Sequence, residues 1–257
     1  MSRERIFNLP GVITALISVL VAIELAVDLF PQSLGAGRMA YFSFIPARLS
    51  FLIAPNAVFK ELADLDVDAD ELASLLNSAK YAWWTPLTYA FLHANWTHLG
   101  VNSLTLAAFG APVARRLGTA RFLVFFAATA IGGAFAHLMT HPFDLGPVVG
   151  ASAAISGAMG AIVRFAFERG EALGEGRHDG ADEIPAPHDT ASLKRVFSNQ
   201  RATFFLLTWL AANVLFGQLP PSPGSAGVIA WEAHIGGFMV GLLLFGWFDR
   251  AKGDPPR

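Results

Sequence analysis

Long apolar runs, rather than alternating or striped positions, dominate this 257-residue chain. Crossing a hydrocarbon core of about 30 Å takes roughly 20 apolar residues in helical form. Six segments approach that length: Pro10–Phe30, Trp96–Ala114, Phe122–Thr140, Gly150–Phe167, Ala202–Leu219 and Trp231–Phe248. The pattern predicts six spanning helices and an all-α membrane bundle. Arg3 and Arg5 stand before the first run, as in a secretory signal, but about 20 apolar residues exceed the 7–15 of such a signal. No A-x-A cleavage pattern follows, so the segment is read as a retained helix.

Two stretches break the pattern. Residues 31–80 carry Tyr41, Phe42, Phe44 and Ile45, then an acidic run through Asp64, Asp66, Asp68, Asp70 and Glu71, and predict a partly helical loop between the first two spans. A calcium loop would need Gly at its sixth position and Glu at its twelfth. Ala69 and Leu75 stand there, so the run reads as a solvated face. Residues 168–200 are rich in Gly, Asp, Glu and Pro and predict a flexible loop between the fourth and fifth spans. No internal repeat of the transporter kind is visible, and residues 1–257 read as a single membrane domain.

Composition agrees with a membrane assignment, with 54% hydrophobic and only 15% charged residues. The net charge of -2 gives no reason to expect nucleic acid as a partner. Without cysteine there is no disulfide and no thiolate metal site. Basic residues set the orientation, because loops retained in the cytoplasm are enriched in them. Placing both termini in the cytoplasm leaves only Arg38, Arg48, Lys60 and Lys80 of the 18 Lys and Arg on the outer side. Residues 31–80 then form an outer loop and residues 168–200 a cytosolic one.

Orientation gives the polar residues inside the spans a depth. Asn102, Ser152 and His234 lie roughly 12–16 residues from the cytosolic charges at Arg115, Arg164 and Arg250, hence about 18–24 Å up. His98 is one turn above Asn102 on nearly the same face. Four polar groups from the second, fourth and sixth spans thus share the outer leaflet. Interhelical hydrogen bonding alone would be worth about 0.6 kcal/mol per contact. The surroundings favour chemistry, since Gly150, Ala151, Ala153, Ala154, Gly157 and Gly160 flank Ser152, and Gly236, Gly237 and Gly241 follow His234. Small residues let helices approach closely enough for a serine–histidine hydrogen bond. The loop His141–Pro147 delivers Ser152 to the first turn of its helix, where free N–H groups and the positive helix end suit an oxyanion. No carboxylate is placed to orient the histidine. Glu232 is two residues from His234 and points elsewhere, while Glu24 and Asp28 lie near the outer end of the first span. The expectation is a Ser152–His234 dyad.

The same residues carry a resemblance. His93 to Asn102 fits H-x-x-x-x-H-x-x-x-N, Gly150-Ala151-Ser152 opens a G-x-S-G element with Met159-Gly160 following, and Ala233 to Gly241 fits A-H-x-x-G-x-x-x-G. Three motifs in this order on spans two, four and six resemble the rhomboid family of bacterial type. The resemblance implies an intramembrane serine protease in the bacterial inner membrane, whose partners are the lipid bilayer and the transmembrane helices of its substrates. Ser152 would be the nucleophile, His234 its general base, and His98 and Asn102 the oxyanion donors, with no cofactor and no metal. Substrates would approach from the lipid past the fifth span and be cut at small residues near the outer face. His93 is carried over as a structural motif residue. Ala153 stands where the family has a glycine, a methyl that would meet the sixth helix or the substrate, and Ser156 stands where relatives often have an aromatic ring. The alternative is a rhomboid-like protein without activity that binds transmembrane helices. His137 and His141 have i, i+4 spacing but Leu, Met and Thr between them, which is not the H-E-x-x-H of a zinc protease. Asn213, at comparable depth on the fifth span, raises transport as a further alternative and is read as helix-to-helix glue.

Overall fold

The structure, a computed structural model, describes residues 9–30, 41–62, 72–73, 77–167, 190–217 and 230–249. The acidic run at 64–71, residues 168–189 of the expected cytosolic loop, and both chain ends lie outside these. Helix α1 (Gly11–Leu29) begins behind Pro10 and turns Ile13, Leu16, Leu20 and Val27 inward. Two short helices follow, α2 (Pro46–Ile53) and α3 (Pro55–Leu62), each opened by a proline whose missing N–H costs nothing in a first turn. Tight turns through Ala79–Trp84, Thr85–Thr88 and Tyr89–Phe91 lead to α4.

Helix α4 comes in three consecutive pieces: Trp96–Thr105, a π-helical turn Leu106–Gly110, and Ala111–Leu117. Pro112 explains the wide turn, because it has no N–H to continue the regular ladder and its ring needs room behind it. Gly118 (φ 74°) ends α4 and starts α5 (Thr119–Thr140) directly. Then come α6 (Ser152–Val163), α7 (Leu193–Ser198), α8 (Gln200–Gly217) and α9 (Trp231–Phe248).

All six apolar segments are helical over most of their described length. Among the described residues, α1, α5 and α9 are long and apolar enough to cross a membrane, and α6 is a shorter apolar helix. The other expected spans differ for local reasons. The π turn divides α4, the bends at Gly150 and Arg164 shorten α6 to 12 residues, and Gln200, Arg201, Thr203, Thr208 and Asn213 dilute α8.

Helix α6 is the centre of the bundle, buried at every position except Ser152 and Met159. It packs on α9 and α5 at backbone distance. A methyl added to Gly237 would strike the Ala153 carbonyl, one on Gly241 the Gly157 carbonyl, and one on Gly160 the Phe238 carbonyl. In lipid, where apolar side chains gain little by leaving the solvent, such close backbone contact is what holds helices together. Gly241→Val is expected to destabilise the fold by about 1–3 kcal/mol through overpacking, read as a lower unfolding midpoint in detergent.

The ends are tied by polar contacts. Arg116 grips Asp249 with two hydrogen bonds of 2.7 and 2.6 Å, and the Thr190 hydroxyl donates to the same carboxylate. Arg164 donates to the carbonyls of Ala191 (2.7 Å) and Leu242 (2.5 Å). The last part of the expected cytosolic loop is thus built into the protein: Ser192 caps α7, and Asn199 caps α8 while donating to the Phe167 carbonyl at 2.7 Å. At the opposite end, the connection between α1 and α4 lies on the α5–α6 loop. Phe44 pairs with Val148 in an isolated β-bridge, Ala47 N–H donates to the Asp144 carbonyl, and the Ser50 hydroxyl donates to the Pro142 carbonyl.

Candidate active site

Ser152 is the first residue of α6, presented by a turn that only glycine accommodates. Gly150 has φ 122°, a region that side chains rarely adopt, and its N–H is held by the Tyr89 carbonyl at 3.0 Å. Tyr89 is in turn fixed by its hydroxyl on the Ala130 carbonyl at 2.8 Å. There is also no room for a side chain at Gly150. A methyl there would lie 2.8 and 2.9 Å from the His98 ring and 3.4 Å from Asn102 Nδ2. The backbone leading into Ser152 is therefore flanked by His98 and Asn102 from α4.

These two side chains present donors. Asn102 is buried, and its Nδ2 has no hydrogen-bond partner. A buried amide without a partner is costly, and such groups concentrate where a ligand or an intermediate will use them. Asn95 caps α4 by accepting from the His98 N–H at 2.9 Å, which fixes the start of the helix. His98 Nδ1 faces the Ala94 N–H at 3.4 Å and accepts from it, which places the ring proton on Nε2, beside Gly150. The His93 ring packs edge-on against His98 with centroids 5.1 Å apart.

His234, in the first turns of α9, has both ring nitrogens engaged. Nε2 is 2.8 Å from Ser152 Oγ and Nδ1 is 2.8 Å from Asn213 Oδ1 on α8. The amide orientation of Asn213 is set because its Nδ2 donates to the Trp209 carbonyl at 2.9 Å. Its oxygen must then accept, so Nδ1 of His234 carries the proton and Nε2 offers a lone pair to the serine hydroxyl. The chain Ser152–His234–Asn213 has the donor order of a hydrolase triad with an amide in the third place. No carboxylate in the sequence is placed to orient the histidine, hence the expectation of a dyad without a third member. The available signal was an amide at the same depth as the histidine, but nothing in the sequence gives the rotation of α8 about its axis.

Ala153 has a simple accommodation. Its methyl points at α5, where the residue opposite is Gly133, and a methyl on Gly133 would come within 2.5 Å of it. The alanine thus fills space left by a glycine on α5 rather than crowding α9. Ser156 is buried. Glu232 turns away from the serine, toward His137 at 3.3 Å and His141 at 3.7 Å.

Fold and site together define a helical, multi-pass membrane protein that holds a serine, a histidine, a buried amide and a half-buried imidazole close together. The Rhomboid domain model matches residues 80–177 and 183–251, which include every one of these groups. The chain belongs to the rhomboid family. It is similar to the putative rhomboid protease YdcA of Bacillus subtilis, 38% identical over 100 residues, covering 39% of this chain and 50% of that protein. It is also similar to the rhomboid protease GluP of the same organism, 39% identical over 89 residues (35% and 17% of the two chains). With the mitochondrial Rhomboid protein 1 of Saccharomyces cerevisiae it shares 29% identity over 165 residues (62% and 40%). The matched part spans half or less of each of these relatives.

Proposed function

We propose that this protein is an intramembrane serine endopeptidase that cleaves transmembrane segments near the outer leaflet. The observation that carries the reading is the 2.8 Å contact from Ser152 Oγ to His234 Nε2, next to the unpartnered Asn102 amide. Neutral imidazole takes the serine proton as Oγ attacks the scissile carbonyl. The oxyanion forms between Asn102 Nδ2–H, His98 Nε2–H and the first-turn N–H groups that a helix leaves free. His234 then gives its proton to the leaving amine, and water releases the acyl group by the same steps in reverse order. Asn213 accepts from Nδ1 throughout, keeping Nε2 aimed at the serine and easing the imidazolium that forms.

The basic residues support cytoplasmic termini with the site toward the outside, and the family resemblance supports a bacterial inner membrane. The substrate is a transmembrane helix that unwinds near the site, because a helical peptide bond hides its carbonyl. The loose attachment of α8 supports lateral access past it. Phe204, Leu207, Leu210 and Leu215 face outward, and its contact with α9 centres on the Trp209–Phe238 stack at 4.1 Å.

Incubation of the detergent-solubilised protein with a fluorophosphonate and, separately, with a model transmembrane substrate tests the reading. Wild type is expected to be labelled and to cleave; absence of both across several substrates would make the protein a helix-binding member without activity. Asn213 has its own signature. Asn213→Ala is expected to lower kcat roughly 10–100-fold with little change in KM, less than loss of a direct oxyanion donor, while Asn213→Gln, too long for the same contact, gives no rescue.

A further inference from the structure

A second cluster of ligating groups lies at the C-terminal end of α5, outside the serine pocket. His137 and His141 stack with ring centroids 5.0 Å apart, and the Glu232 carboxylate from the first turn of α9 faces both. His137 Nδ1 is 3.3 Å from Glu232 Oε2, and His141 Nδ1 is 3.7 Å from Glu232 Oε1. One ligand atom from each residue falls within 4.8 Å of the others. Tetrahedral zinc with bonds of about 2.0–2.1 Å sets neighbouring ligand atoms about 3.3 Å apart; the two histidine–glutamate pairs are already near that spacing, and the widest pair, within 4.8 Å, closes by up to about 1.5 Å through rotation of the exposed His141 ring.

The surroundings fit an imidazole ligand. The His137 ring is buried, and its Nε2 lacks a hydrogen-bond partner but faces Asp144 Oδ2 at 3.7 Å. A carboxylate behind the distal nitrogen is the usual support for a metal-bound histidine, fixing its tautomer and raising its basicity. The Thr140 hydroxyl donates to the His137 carbonyl at 3.0 Å, so His141 Nδ1, 2.9 Å away, donates to the hydroxyl oxygen, and an ion bound at Nδ1 would displace that proton. The His141 side chain is 48% exposed, which leaves a path for an ion and an open fourth position.

We infer that His137, His141 and Glu232 form a three-ligand site for a zinc-class divalent ion, with Asp144 orienting His137. The i, i+4 histidines lack a glutamate between them in sequence; α9 supplies it in space. Two imidazoles and one carboxylate select late first-row metals over magnesium or calcium. A bound ion would tie the end of α5 and the loop leading to Gly150 to the turn of α9 that carries His234. Binding does not require activity, so the Ser152→Ala protein, made without a polyhistidine tag, serves for the test. After chelator treatment, equilibrium dialysis against zinc chloride and elemental analysis are expected to find one zinc per chain. His141→Gln, at an exposed position that leaves the packing intact, and Glu232→Gln are expected to weaken it by at least about tenfold. Zinc at roughly 100 times its Kd is expected to raise the unfolding midpoint by about 5–10 °C in the parent and not in the variants. Equal zinc retention by parent and both variants, or no zinc retained by the parent, overturns the site.

Discussion

Ser152→Ala is expected to lower cleavage of a model transmembrane substrate by about 10⁴-fold or more, to the background of empty detergent, and to abolish fluorophosphonate labelling. The fold should persist. Ser152 opens α6 between Ala151 and Ala153, and alanine suits a helix at least as well as serine. The lost hydrogen bond to His234 costs only about 1 kcal/mol. A protein that unfolds at the wild-type temperature yet neither cleaves nor labels separates chemistry from stability. The two groups act as one unit, so His234→Ala should come close to the same loss and the double variant should add almost nothing to it. Multiplicative losses would mean that the 2.8 Å contact is not the working pair. Residual turnover in Ser152→Ala beyond a few parts in 10⁴ would place the nucleophile elsewhere.

The sequence made some of this legible and hid the rest for identifiable physical reasons. Helix existence follows from apolar length, a property of each segment alone, and all six segments are helical. What interrupts a helix is subtler. Pro112 is visible in the sequence, but the π turn before it reflects how the chain rejoins the ladder. Depth along a helix is countable at about 1.5 Å per residue, which is why Ser152, His234, Asn102 and His98 group together in the sequence alone. Rotation about a helix axis is not countable when polar residues are scattered round it without one clear face, as on α8. Asn213 therefore read as an isolated amide, although it contacts His234. Ala153 shows the same limit from the other side: its fit depends on Gly133, a residue on another helix that no local pattern connects to it. The His137–His141–Glu232 cluster joins residues nearly a hundred positions apart, and only two of its three members, the i, i+4 pair, leave a mark in the sequence.

Asn102→Ala is expected to reduce kcat by about 10²–10³-fold, the effect of deleting one oxyanion donor, with KM nearly unchanged. The split follows from where the amide points. Its Nδ2 sits beside the backbone entering Ser152 and is bonded to nothing in the resting protein, so it offers little to a substrate carbonyl and much to the charge that develops on it. The resting state already bears the cost of burying that unpaired donor, so removing it should leave stability equal or slightly raised, apart from the small void. A functional residue whose loss stabilises the fold is hard to confuse with a structural one. Asn102→Asp sharpens the comparison, since it keeps the shape, loses the donor and places negative charge where the oxyanion would form; it should fall below Asn102→Ala. Asn102→Ala that slows turnover no more than Asn213→Ala would move the oxyanion away from α4 and leave the α6 N-terminus and His98 to hold it.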